Sequence, residues 1–174
     1  MRMALSFAAG LLVVAVLVGC DREPSEQKRA DDVAQLERLV VPVVDELDVR
    51  FYLDEGFTCQ SLLYSRGEFR EGDGSCGSPT ESFGPFDAVV RRDFDRIRAA
   101  IKASGVNTLR FDASVNDGGV LTHVSFRIVD HSIEWNRFYL FDPTLAGPKS
   151  GQAPNAPRYE QINERWWLVT EVDD

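Results

Sequence analysis

The chain has 174 residues, of which 44% are hydrophobic and 10% aromatic, and this composition excludes an intrinsically disordered protein. Its length corresponds to a single domain that can bury a substantial core. The net charge of -9 opposes binding to nucleic acid, because phosphate recognition draws on clustered Lys and Arg.

The amino-terminal segment has the layout of a secretory signal peptide. Arg2 is the only charge in residues 1–19, and an apolar run from Phe7 to Val18 follows it. This run is too short to span a bilayer, since a span needs about 20 apolar residues. Three charged residues from Asp21 onward end it abruptly. The sequence therefore predicts an exported protein with a signal peptide over residues 1–19.

The end of this segment, Leu17-Val18-Gly19-Cys20, resembles the lipobox of bacterial lipoproteins. The resemblance covers only the first twenty residues. It implies diacylglyceryl transfer to the Cys20 thiol, cleavage between Gly19 and Cys20, and often acylation, for example with palmitate, of the new amino terminus. It further implies a bacterial cell membrane with the domain outside the cytoplasm. Asp21 favours retention in the inner membrane if the organism also has an outer one. The alternative is an unmodified thiol at the end of an uncleaved anchor helix.

The remaining chain divides into two parts in this interpretation. Residues 20–30, which are mostly polar, are predicted to be a flexible tether, and residues 31–174 a single globular α+β domain. Lipidation of Cys20 leaves Cys59 and Cys76 as a pair, which in an oxidising compartment predicts a disulfide bond. A metal or redox pair is the alternative, but the sequence has no Cys-x-x-Cys and no histidine within forty residues of either cysteine.

Two regions carry apolar residues at helical spacing. The first begins at Asp31, and Pro42 predicts a kink or two abutting helices there. The second ends at Gly105, and its apolar stripe contains Phe86, Val90, Phe94, Ile97 and Ile101. The outer face of this second helix carries several arginines. It is interpreted either as a solvated face with intrahelical ion pairs or as a weakly basic patch on an acidic protein.

Alternating apolar residues predict strands over 59–64, 109–115, 120–128 and 135–141, and one or two more over 158–172. The turn Asn116-Asp117-Gly118-Gly119 indicates a hairpin. The predicted fold class is α+β, with two N-terminal helical segments packed on one face of a four- or five-stranded antiparallel sheet formed by the C-terminal half.

No catalytic constellation is found in the sequence. The two histidines, His123 and His131, lie beside neither a Gly-x-Ser-x-Gly elbow nor a spare thiol, and their spacing does not suit a zinc site. We therefore expect no catalytic residues, no metal and no cofactor. A hydrolase using His123 and a nearby carboxylate is the least favoured hypothesis.

The favoured function is protein binding by a membrane-anchored envelope lipoprotein, as a scaffold, an accessory subunit or an inhibitor. Its expected partners are the membrane, through the lipid on Cys20, and an envelope protein. The strand over 135–141 is apolar on both faces, which favours burial between two layers, and the alternative is an aromatic surface offered to a partner. If the domain binds a partner, the predicted contact surface consists of the strand residues Trp135, Tyr139 and Phe141, the loop 143–157 and the cystine loop. The alternative function is small-molecule binding in a pocket between helices and sheet, lined by Phe94, Phe126 and Trp166.

Overall fold

The computed structural model describes residues 24–72, 76, 84–129, 135–144 and 156–172. The described helices are α1 (Glu26–Leu39), α2 (Val41–Glu46) and α3 (Ala88–Ser104). The strands are β1 (Val49–Asp54), β2 (Gln60–Tyr64), β3 (Phe69–Glu71), β4 (Gly84–Pro85), β5 (Thr108–Val115), β6 (Leu121–Ile128), β7 (Trp135–Phe141), β8 (Arg158–Asn163) and β9 (Trp166–Val172). None of the described helices has the length and apolarity that crossing a membrane requires.

These strands form one mixed sheet of nine strands in the order β4-β3-β2-β1-β5-β6-β7-β9-β8. Neighbours are antiparallel except β3 and β4, which are parallel. The prediction of four or five antiparallel strands from the C-terminal half is therefore wrong. Four of the nine strands precede α3, and β1 joins the two halves of the sheet by pairing with both β2 and β5.

The strand β1 is not predicted because of the sequence at the boundary between α2 and β1. The apolar residues from Leu47 to Leu53 continue the preceding helical pattern, so their sequence does not reveal a strand. In the structure Asp48 adopts a left-handed conformation with φ 55°, which ends the helical path and starts β1 at the next residue. Such a conformation is uncommon for a residue other than glycine, although Asp adopts it more readily than most.

Other local predictions are confirmed. Helices α1 and α2 abut at Val40, just before Pro42, and α3 ends at Gly105 in the left-handed conformation that glycine favours. Helix α1 begins earlier than predicted, because the Ser25 hydroxyl accepts a hydrogen bond from the backbone N–H of Lys28. The predicted tether 20–30 thus overlaps α1 by five residues.

The core lies between the helices and one face of the sheet. Apolar residues of α1 and α3, including Leu36 and Ile97, pack there with strand residues such as Leu62 and Val124. A row of aromatic rings crosses this core with centroids 4.9–6.1 Å apart, in the order Phe86, Phe94, Tyr52, Phe111, Phe126, Trp166 and Phe141. The row ties α3 to strands on both halves of the sheet.

Candidate functional site

The exposed face of α3 contains a shallow cavity of about 610 Å³, which we call the α3 groove. Its lining residues lie at helical spacing on one stripe of the helix. Two alanines leave open space between longer charged side chains. The lining residues are Ala88, Arg91, Arg92, Asp95, Arg96 and Ala99.

Helix α3 is a rigid support for this groove. The Asp87 carboxylate accepts hydrogen bonds from the N–H groups of Val89 and Val90 at 2.8 and 2.9 Å, and these bonds hold the pKa of Asp87 below its usual range. The opposite face of the helix buries Phe94 and Ile97 in the core. Capping and burial together fix the orientation of the groove relative to the sheet.

The arginines of the α3 groove are held by neighbouring elements and by α3 itself. Arg96 Nη2 donates to Glu46 Oε2 of α2 at 2.7 Å, and Arg91 Nη1 donates to Gln60 Oε1 of β2 at 2.7 Å. Arg92 bonds Asp93 Oδ1 through Nε and Nη2, yet 65% of its side chain remains exposed. A guanidinium has five N–H donors, so a fixed and exposed arginine can still bind a second carboxylate.

The lining of the α3 groove is rich in arginine. Three arginines and one aspartate line it, whereas the whole chain has a net charge of -9. Both interpretations of this helix face hold in part, because Arg92 and Arg98 pair with aspartates of the same helix while the lining remains an arginine-rich patch. Such a patch attracts carboxylates, and Arg binds them with two parallel hydrogen bonds.

A second feature, the turn between β1 and β2, lies close to this groove. Asp54 at the end of β1 accepts hydrogen bonds from Arg98 Nε at 2.7 Å and Arg98 Nη2 at 3.0 Å. It also accepts bonds from the Tyr52 hydroxyl and from the Gly56 N–H. Burial alone would raise the pKa of Asp54, but these hydrogen bonds outweigh it and hold the pKa below its ordinary value of 3.8.

This pKa predicts acid sensitivity that depends on Asp54. A carboxyl whose pKa is lowered by folding stabilises the fold at neutral pH, and that contribution is lost as the pH falls through the lowered value. We expect the free energy of unfolding to fall less steeply below about pH 4 in Asp54→Asn than in the parent chain. Urea titrations at several pH values measure this slope. Asp117→Asn, in the exposed β5–β6 turn, is the control, and equal slopes for Asp54→Asn and the parent chain would contradict the prediction.

Asp54 belongs to one of three tyrosine–aspartate pairs that link helices to strands. The hydroxyls of Tyr52, Tyr64 and Tyr139 donate to Asp54, Asp93 and Asp32 at 3.1–3.2 Å. Burial raises the pKa of all three phenols, so they remain protonated donors at physiological pH. Each aspartate also contacts a basic residue of α1 or α3, namely Arg98, Arg92 and Lys28 respectively. The arrangement satisfies polar groups at the edge of the core.

The strand residues predicted to contact a partner lie elsewhere. Tyr139 and Phe141 are 1% and 4% exposed and belong to the core, so β7 offers neither to a partner. Trp135 is the first residue of β7. Residues 145–155 of the predicted contact loop and most of the cystine loop beyond Gly72 lie outside the described residues.

The residues predicted to line a small-molecule pocket are also core residues. Phe94, Phe126 and Trp166 are fully buried, and the Phe126 and Trp166 rings stack with centroids 6.1 Å apart. We therefore do not propose a pocket at these residues.

The structure places the other predicted residues as follows. The disulfide between Cys59 and Cys76 is confirmed. His123 is exposed on β6 and faces Ser114 across the strand pair, while His131 and Cys20 lie outside the described residues. Within the described part of the chain, no group of three or more His, Cys, Asp or Glu side chains could hold a metal ion.

Comparisons of the chain with protein-family models, with curated proteins and with solved structures find no match. The α3 groove therefore has to be interpreted from its own geometry and charge.

Proposed function

We propose that this chain is a membrane-anchored lipoprotein of a bacterial cell envelope whose domain binds another envelope protein. The domain acts as a scaffold, an accessory subunit or an inhibitor. The observation that carries this proposal is the α3 groove, an arginine-lined cavity on the rigid helix of an acidic protein.

The charge and shape of the α3 groove fit an acidic segment of a protein. Arg92 and Arg96 each keep a substantial part of their side chain in solvent while an aspartate or glutamate of their own chain fixes them. Side chains fixed in this way lose little conformational freedom when a partner's carboxylate binds. The small side chains of Ala88 and Ala99 allow the partner's backbone to approach the helix.

The anchor supports a partner that lies at the membrane surface. Five residues separate Cys20 from the first residue of α1, and a fully extended chain over these six Cα-to-Cα steps spans about 20 Å. Acyl chains on Cys20 would hold the domain in the membrane, because burial in lipid contributes about 0.8 kcal/mol per CH₂ group. The short linker then keeps the α3 groove near proteins of the same membrane.

The anchor is tested by fractionation and mass spectrometry of the amino-terminal peptide. We expect the parent protein in the membrane fraction, with a peptide that begins at Cys20 and carries acyl chains. The Cys20→Ala variant should leave that fraction. An unmodified Cys20, or unchanged membrane association of the variant, would contradict the lipoprotein assignment.

Binding is tested by crosslinking of the full-length lipidated protein in cells, followed by mass spectrometry of captured proteins. We expect one specific envelope protein, whose capture depends on the anchor. Washing with about 1 M NaCl before crosslinking should reduce the capture, because the screening length falls to about 3 Å. Recovery of only abundant neighbours, at the same level with Cys20→Ala, would overturn the binding function.

A further inference from the structure

The turn between β1 and β2 carries an aromatic side chain that packs against almost nothing. Phe57 is 96% exposed, more than any other large hydrophobic residue of the described chain. Aromatic residues dominate the energetics of protein interfaces, so an exposed ring of this size is a candidate anchor for a partner.

The turn holds Phe57 in a defined position. The Glu55 N–H donates to the Cys59 carbonyl at 2.8 Å, and the Gly56 N–H donates to Asp54 Oδ1 at 3.1 Å. Gly56 has φ 67°, a conformation that glycine adopts without strain. The disulfide of Cys59 fixes the far side of the turn. An aromatic ring on a preorganised turn loses little entropy when it binds.

A chain of contacts connects this turn to the α3 groove. Arg98 pairs with Asp54, whose carboxylate closes the turn, and Arg98 Nη1 lies 3.8 Å from Asp95 Oδ1. Asp95 lines the α3 groove. The turn that carries the exposed ring is therefore linked to the groove through the two ion pairs of Arg98.

We propose that Phe57 is the apolar anchor of the interface formed by the α3 groove and that it inserts into an apolar pocket of the same partner protein. This inference rests on the proposed protein-binding function and deepens it. The exposed carboxylate of Glu55 beside the ring, on a protein of net charge -9, disfavours an anionic lipid surface. Glu55 favours a pocket with a basic group at its rim, next to the acidic segment that the arginines bind.

The test places the photocrosslinker p-benzoylphenylalanine in the full-length lipidated protein in cells, at position 57, 89 or 34 in separate strains. Position 57 reports contacts of the turn. Position 89 reports contacts of the α3 groove, because the exposed Val89 lies about one helical turn before Arg92 and does not line the groove, so the probe does not fill it. Position 34 is the control, because Ala34 is exposed on α1. We expect adducts with one and the same protein at 57 and 89, and none with that protein at 34.

A second variant separates the contribution of Phe57 from simple proximity. Phe57→Ser should reduce capture from position 89 by about tenfold, and Phe57→Trp should retain it, because a large aromatic ring still fills the pocket. Capture at position 89 without any protein adduct at position 57 would overturn this inference and leave the proposed function standing. Adducts at position 57 with phospholipid alone would do the same. The absence of a specific adduct at position 89 would overturn the proposed function itself.

Discussion

Replacing Trp166 by alanine is expected to lower the free energy of unfolding by about 3–5 kcal/mol, as for other large buried aromatic side chains. Trp166 is fully buried, and its ring lies 6.1 Å from that of Phe126 and 5.0 Å from that of Phe141. Its indole Nε1 donates to Glu37 Oε2 of α1 at 2.7 Å. The substitution therefore removes a link of the aromatic row and also leaves Glu37 without this donor.

Urea unfolding of the lipid-free Cys20→Ala form measures this effect. Trp166→Phe is the matched control, because it keeps an aromatic ring and loses the indole donor. We expect it to be destabilised by about 1–2 kcal/mol, the order of one lost hydrogen bond and a reduced volume. A loss below about 1 kcal/mol for Trp166→Ala would show that the ring row does not hold helices and sheet together.

Removal of the disulfide is expected to have the next largest effect. Cys59 and Cys76 are 17 residues apart, and a bridge that closes a loop of this length stabilises a fold by about 3 kcal/mol in the chain-entropy model. The bridge also joins β2 to the segment that follows β3, where the Ser61 hydroxyl lies 3.3 Å from Cys76 Sγ.

The double variant Cys59→Ser/Cys76→Ser should unfold at a lower urea concentration than the parent, by an amount that corresponds to this free energy. Reduction of the parent protein with dithiothreitol should produce the same midpoint, which controls for effects of the serine side chains. If the urea midpoint were unchanged in both the double variant and the reduced parent protein, the prediction would be contradicted.

The sequence predicted those elements whose signals are local. The apolar stripe of α3, its terminal Gly105 and the hairpin residues around Asn116 each specify a conformation within a few residues, and each was confirmed. Strand β1 was missed because its residues extend the apolar pattern of α2. It pairs with β2 across a short turn and with β5, about sixty residues later, and its place between these two strands depends on the second pairing. Pairing over so large a separation leaves no mark in local composition.

The candidate site was less predictable than the fold. The sequence shows the arginines on the outer face of α3. Their hydrogen bonds to Glu46 and Gln60 can be predicted only when the positions of α2 and β2 are known. Phe57 had no signal, because an isolated aromatic residue in a turn is as compatible with burial as with exposure. Tyr139 and Phe141 were predicted as contact residues because β7 is apolar on both faces, and the helices cover one of these faces.

The central claim is that the α3 groove binds a protein partner, and a matched pair of alanine substitutions tests it most directly. Ala99→Glu places a carboxylate in the groove without removing any existing ion pair, and Ala34→Glu makes the same change on the exposed face of α1. Crosslinking in cells should capture about tenfold less of the envelope protein with Ala99→Glu, and within about twofold of the parent level with Ala34→Glu. Equal capture by the two variants would contradict the account.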